Sequence, residues 1–284
     1  MQGPAGGGRR LSFHPLQWSR CAAVGEDASV GEDASGMHET FDSDGLRLAS
    51  HLARPPGFAR VPGLVLSHGF PTGPRGGDSS ASTYPELAER LARETGWAVL
   101  TFNFRGTGAS EGDFSLDGWL SDLNHALTLM SERSDVGGVW LAGSSTGGSL
   151  SIILAADDER VRGVATLAAP ASFSDWALHP DRLLADSRAL GIIRHADFPP
   201  DPVAWGRRFA ELSPLEAATR IAPRPLLLIH GEGDEVVPIA DARGLYEAGF
   251  GNADLRTVAG AGHRLRHDPR AIATLIGWLT RQSP

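Results

Sequence analysis

From residue 38 onward, short apolar runs alternate with longer stretches in which apolar residues recur every three or four positions. "LRLASHLA" (46–53) alternates apolar and polar residues, the pattern of a half-exposed strand. "GLVLSHG" (63–69), "WAVLTFNF" (97–104), "GGVWLAG" (137–143), "RGVATLAA" (162–169) and "PLLLIHG" (225–231) are mostly apolar, as strands covered on both faces are. "DLRTVAG" (254–260) reads as a further strand. Between them lie helical patterns at 84–96, 116–130, 145–156 and 269–282, the first of them closed by Gly96. Strands that alternate with helices predict an α/β fold: a mostly parallel sheet covered by helices on both faces.

Two segments depart from this rhythm. Residues 171–220 contain no strand-like run but carry "DWALHPDRLLADSRALG" and "PVAWGRRFAELS". They predict an inserted helical cap over the strand ends, where such sheets bind ligands. Its Trp176, Trp205 and Phe209 are candidates to line a substrate pocket, and equally candidates to hold the cap together. Residues 1–37 are glycine-rich at the start and repeat "VGEDAS" in tandem at 24–35. With no periodic apolar face, they are expected to form a flexible tail, leaving 38–284 as the folded domain.

Composition adds exclusions. The 284 residues are 41% hydrophobic and 21% charged, enough apolar material for one substantial core. A net charge of −8 gives no electrostatic reason to expect nucleic acid as a partner. The sequence has no apolar run long enough for a membrane-spanning helix and no apolar stretch suited to a signal peptide. The single cysteine, Cys21, forms no internal disulfide, which suits a reducing cytoplasm.

The candidate chemistry centres on "LAGSSTGG" (141–148). Gly-x-Ser-x-Gly occurs twice, around Ser145 and around Ser110. A nucleophile elbow needs a strand that runs into a tight turn and then a helix, so that the serine stands above the sheet edge. "GVWLAG" followed by "STGGSLSIILAA" provides this for Ser145. Ser110 sits in "RGTGASEGDF", a glycine-rich loop with no helical pattern before about 116. Ser144 would be flanked by Ala142 and Thr146 in place of glycines, and a β-branched residue tolerates such a turn poorly.

A serine hydroxyl needs a base to remove its proton. Asp234, in "GEGDEVVP", and His263, in "AGHRLRHD", follow strand ends at the same edge and in the order serine, acid, histidine. His267 is the rival base, but "RHDPR" reads as the entry to the last helix, with Asp268 as its cap. Asp175 is the rival acid. The backbone N–H groups of Phe70 and Thr146 are candidates for an oxyanion hole. His68 and His230 read as structural.

With "HGF" (68–70), "NFRGTGASEG" (103–112), "GSSTGG" (143–148), "HGEGDEVVP" (230–238) and "GAGH" (260–263), the chain resembles the α/β-hydrolase superfamily over about residues 38–284. The resemblance implies Ser145 as nucleophile, Asp234 as acid, His263 as base, and Phe70 and Thr146 as oxyanion donors. It also implies a structural role for the loop around Ser110. The expected reaction is hydrolysis of a carboxylic ester or thioester of a small-molecule acyl substrate through an acyl-enzyme, with no metal or cofactor. The alternatives are an acyl-aminoacyl or dipeptidyl-type peptidase, or a non-catalytic binding protein on the same scaffold. Oligomeric state is open.

Overall fold

The computed structural model describes residues 39–57, 60–71 and 83–282. The expected tail at 1–37, with Cys21, lies outside the described residues. The strands are β1 (Glu39–Ser43), β2 (Leu46–Ala53), β3 (Val61–Ser67), β4 (Ala98–Phe102), β5 (Val136–Ser144), β6 (Val161–Leu167), β7 (Leu226–Gly231) and β8 (Ala253–Val258). They form one sheet in the order β1-β2-β4-β3-β5-β6-β7-β8. β1 and β2 make an antiparallel hairpin, and β2 pairs antiparallel with β4. Every pairing from β4 through β8 is parallel.

Helix α1 (Tyr84–Thr95) carries the chain from β3 to β4, and α2 (Leu116–Ser131) carries it from β4 to β5. Because β3 lies between β4 and β5, these two connections leave in opposite directions. The carboxyl ends of β3 and β5 therefore flank a switch point, where open α/β sheets form their crevice. α3 (Thr146–Asp157) follows β5, α8 (Ile239–Ala248) follows β7 and α9 (Pro269–Gln282) closes the chain.

Two cores cover the sheet. Val65, Leu226 and Leu228 pack with Trp119, Leu123, Leu127 and Leu150. Their neighbours Leu64, Leu66, Leu227 and Ile229 pack on the other face with Leu91, Leu275 and Trp278. Alternate side chains of one strand serve opposite layers, which is why these strands are apolar without interruption.

Between β6 and β7 the chain forms four helices: α4 (Ser174–Leu178), α5 (Pro180–Ala189), α6 (Pro202–Glu211) and α7 (Pro214–Ala218). α6 starts at an Asp201 cap that accepts the Val203 and Ala204 N–H groups, and α7 at a Ser213 cap that accepts that of Glu216. The segment is stitched to the loop after β4. Phe114 N–H donates to the Ile192 carbonyl at 2.8 Å. The Arg194 guanidinium donates to the carbonyls of Gly106, Gly108 and Ser110 at 2.9–3.1 Å. Asp113 accepts the backbone N–H groups of Arg194 and His195 on one oxygen and contacts the His195 ring at 2.7 Å with the other.

Two elements were not evident in the periodicity. β1, "ETFDS", is a short polar edge strand with one fully buried residue. α8 buries only Ala242 and Leu245, too narrow a stripe to stand out. No helix among the described residues is long and apolar enough to cross a membrane.

Candidate active site

Ser145 is the residue between β5 and α3, with φ 50° and ψ −123°. A side chain in that region costs roughly 1–3 kcal/mol, so the surroundings must hold it there. Its N–H donates to the Leu167 carbonyl of β6 at 2.8 Å, and its carbonyl accepts from Ser149 at 3.1 Å. The turn is crowded. A Cβ on Gly143 would lie 2.4 Å from the Gly147 carbonyl carbon, and one on Gly147 would lie 2.3 Å from the His68 carbonyl oxygen. Only glycine fits at these two flanking positions.

His263 reaches Ser145 from the loop after β8. Its Nε2 is 3.1 Å from Ser145 Oγ, and its Nδ1 is 2.9 Å from Asp234 Oδ2. β7 and β8 are neighbours in the sheet, so the acid and histidine loops are adjacent. Their contact is tight: a Cβ on Gly231 would meet the Ala261 carbonyl oxygen at 2.3 Å. Asp234 Oδ1 accepts the N–H groups of Val236 and Val237, each at 2.9 Å. Burial acts to raise the Asp234 pKa, but the His263 hydrogen bond, its charge and the two amides outweigh it and hold the carboxyl below its ordinary value. The ionised carboxylate leaves Nδ1 as the protonated nitrogen, and a neutral His263 then turns a lone pair toward Ser145.

The turn after β3 meets the serine on its other side. A Cβ on Gly69 would lie 2.8 Å from that of Ser145. The next residue, Phe70, and the first residue of α3, Thr146, therefore bracket the serine. The helix N-terminus adds a partial positive charge on the Thr146 side.

The other candidates separate clearly. Ser144 ends β5, paired with Leu167, and its side chain lies beside the buried Tyr84 phenol. Ser110 is fully buried, with Oγ donating to the Asn103 carbonyl at 2.6 Å and accepting the Ala49 N–H at 3.0 Å. It satisfies backbone groups, as its loop setting suggested. His68 is enclosed by Phe104, Trp119 and Tyr84. Its Nδ1–H donates to the Gly69 carbonyl at 2.8 Å, and its Nε2 accepts the Phe104 N–H at 3.1 Å. Burial pushes its pKa down to about 4, so it is neutral at ordinary pH. His267 lies in the 3₁₀ turn Leu265–His267, and Asp268 accepts the Arg270 N–H at the start of α9. Asp175 pairs with Arg182 at 2.7 Å and takes no part in the contact with His263.

The insertion brings its aromatics to the same edge. The Trp176 ring is 5.0 Å from that of Phe70 and stacks with Phe173 at 5.5 Å. Trp205 and Phe209 pack on each other at 4.8 Å and on Phe114 at 6.2 and 6.4 Å. Phe209 is 1% exposed, and Trp205 Nε1–H donates to the Phe114 carbonyl at 3.3 Å. Trp176 is thus the one of the three in contact with Phe70. Two features were invisible in the sequence: the contact of His230 Nε2 with the Val237 carbonyl oxygen, 2.9 Å away in the turn that carries Asp234, and the Arg194 and Asp113 contacts that tie the insertion down. Both join loops distant in the chain, and no local pattern encodes them.

Comparison with known proteins agrees with this architecture. The model of the alpha/beta hydrolase family matches residues 64–275. The uncharacterized protein YfhR of Escherichia coli O157:H7 is 30% identical over 157 residues, 54% of this chain and 48% of that protein. The lysophosphatidylserine lipase ABHD12 of Xenopus tropicalis is 27% identical over 198 residues, 65% of this chain and 46% of that protein. The chain spans about half the length of these curated relatives. Among solved structures, Est1E from Butyrivibrio proteoclasticus with bound ferulic acid superposes with a TM-score of 0.65 at 20% identity, covering 86% of this chain and 97% of that one. The family match covers most of the folded region and every strand from the serine to the histidine, so the chain belongs to the alpha/beta hydrolase family.

Proposed function

We propose that this chain is a serine hydrolase that cleaves a carboxylic ester or thioester through an acyl-enzyme. The observation that carries the reading is the continuous series of contacts Ser145 Oγ–His263 Nε2–Asp234 Oδ2, at 3.1 and 2.9 Å. His263 takes the Ser145 proton as Oγ attacks the acyl carbonyl. The oxyanion that forms is held by the N–H groups of Phe70 and Thr146. His263 then passes its proton to the leaving alcohol or thiol, and the acyl group stays on Ser145. Water, deprotonated by the same imidazole, attacks this ester and frees the acid. Asp234 remains ionised and stabilises the imidazolium at each step.

Trp176, with Trp205 and Phe209 behind it, forms the acyl-binding side of the site in this reading. The apolar surroundings favour an uncharged acyl group. A relative named as a lipase and a structural neighbour with ferulic acid bound support acyl chemistry in the family.

The test is covalent labelling with a fluorophosphonate, combined with a panel of chromogenic esters. Ser145→Ala is expected to lose labelling and to lower kcat by roughly four to six orders of magnitude. Ser144→Ala is expected to keep labelling, with less than about a tenfold loss. An adduct on the Ser144 side of the elbow, found by mass spectrometry of the labelled peptide, would overturn the assignment.

A further inference from the structure

His230 is the last residue but one of β7, and it is 1% exposed. The strand positions before it, Leu226–Ile229, are buried and apolar. A polar ring enclosed in such a place needs a partner that justifies its desolvation. Its hydrogen-bond partner lies in the acid turn. Nε2 is 2.9 Å from the Val237 carbonyl oxygen. A carbonyl only accepts, so Nε2 carries the proton. The same N–H lies 3.5 Å from Asp234 Oδ2, the oxygen that meets His263.

From this geometry we propose that His230 is a positioning residue for the acid: it braces the Asp234–Val237 turn and holds the carboxylate where it meets His263. The inference rests on the serine-hydrolase reading above. Asp234 Oδ1 is fixed by the Val236 and Val237 N–H groups, so the carboxylate is anchored through the turn. His230 grips that turn by the carbonyl of Val237, the residue whose N–H is one of the two anchors. Without the imidazole, the turn keeps its local hydrogen bonds but loses its tie to β7. The charged groups facing His230 are Asp234 from the turn and Asp241 from the first turn of α8. Asp241 Oδ2 accepts the Ala171 N–H at 2.9 Å, and burial pushes this carboxyl up. His230 therefore stands where the acid turn, α8 and the start of the insertion converge.

The experiment measures kcat and KM per active site, titrated with a fluorophosphonate, for His230→Leu, His230→Gln, Asp234→Asn and the Leu/Asn double variant. A glutamine amide places an N–H near the position of Nε2. His230→Leu is expected to lower kcat about tenfold with KM changed less than about twofold, and His230→Gln to recover most of the loss. In the Asp234→Asn background, His230→Leu is expected to change kcat by less than about twofold, because its effect passes through that carboxylate. If the leucine variant does not fold, His230→Asn, whose amide is too short to reach Val237, takes its place with the same expectation. The inference is overturned by a lower Tm with unchanged kcat per site, by equal losses in both backgrounds, or by a glutamine variant no better than leucine. Turnover that survives Ser145→Ala overturns the hydrolase reading and this inference with it. Turnover that requires Ser145 but ignores His230 overturns this inference alone.

Discussion

At the residue scale, the site depends on side chains whose environment sets their protonation. His68 is the clearest case. Its neutral ring holds the Gly69 carbonyl, one residue before the proposed oxyanion donor Phe70, and burial lowers its pKa from 6.5 to about 4. Between these values the unfolded chain binds a proton that the folded chain does not. Folding stability is therefore expected to fall as the pH drops from 6.5 toward 4, with His68 contributing about 3 kcal/mol of that loss. Urea denaturation at pH 7.5, 5.5 and 4.5 measures it. His68→Asn, which retains an N–H donor but does not titrate, is expected to flatten the dependence in this window even if it starts less stable. An unchanged slope would place the acid sensitivity elsewhere.

At the element scale, the aromatics of the insertion form one connected cluster, with Trp176 5.7 Å from Phe209 and 6.1 Å from Phe114, but they differ in what else they reach. Trp205 and Phe209 of α6 face Phe114 and form the bond between the insertion and the β4–α2 loop. Trp176 of α4 touches Phe70, next to the serine. Trp176→Ala is expected to change the ratio of kcat/KM for long and short esters several-fold. Phe209→Ala is expected to cost about 3–5 kcal/mol of stability and to scale all esters alike. The pairing of ester profiles with Tm separates the two outcomes. If Trp176→Ala also scales every ester equally, α4 does not select the acyl group. α6 was legible as a helix because its apolar residues recur at helical spacing, whereas the single helical pattern read across "DWALHPDRLLADSRALG" is divided at Pro180 into α4 and α5. The different partners of these helices were not legible, since spacing says which face is apolar and not what lies against it.

At the scale of the whole molecule, the insertion is held to the sheet by a small number of polar contacts besides these rings. Asp113 is central, because one carboxylate serves the N–H groups of Arg194 and His195 and the His195 ring. Burial works against this carboxyl, yet those amides and the histidine hold its pKa below the ordinary 3.8. Its contribution is fully present above the unfolded value and is lost as the pH falls through the lower folded one. Asp113→Asn removes one acceptor and the charge. Amide hydrogen exchange in the segment 187–211 is expected to accelerate at neutral pH, while that of β3, β5, β6 and β7 stays unchanged. Equal acceleration in the central strands would mean that insertion and sheet open as one unit.

The sequence alone determined the alternation of strands and helices, the place of the helical insertion between β6 and β7, and the position of Ser145 between a strand and a helix. Each of these is local information. A strand buried on both faces is a continuous apolar run, and an elbow is a strand, a glycine-flanked serine and a helix within a dozen residues. The order of Ser145, Asp234 and His263 was legible too, because each follows the end of a strand run. Only the tertiary structure decided that these ends converge. β7 lies beside β8 in the sheet, and Gly69 packs against Ser145 although 76 positions separate them in the numbering. Tertiary structure alone also set His230 against the acid turn, Arg194 against the carbonyls of the β4–α2 loop and Trp176 against Phe70. Such contacts are made by whichever side chains the packed sheet brings within reach, and neither periodicity nor a short motif carries that distance.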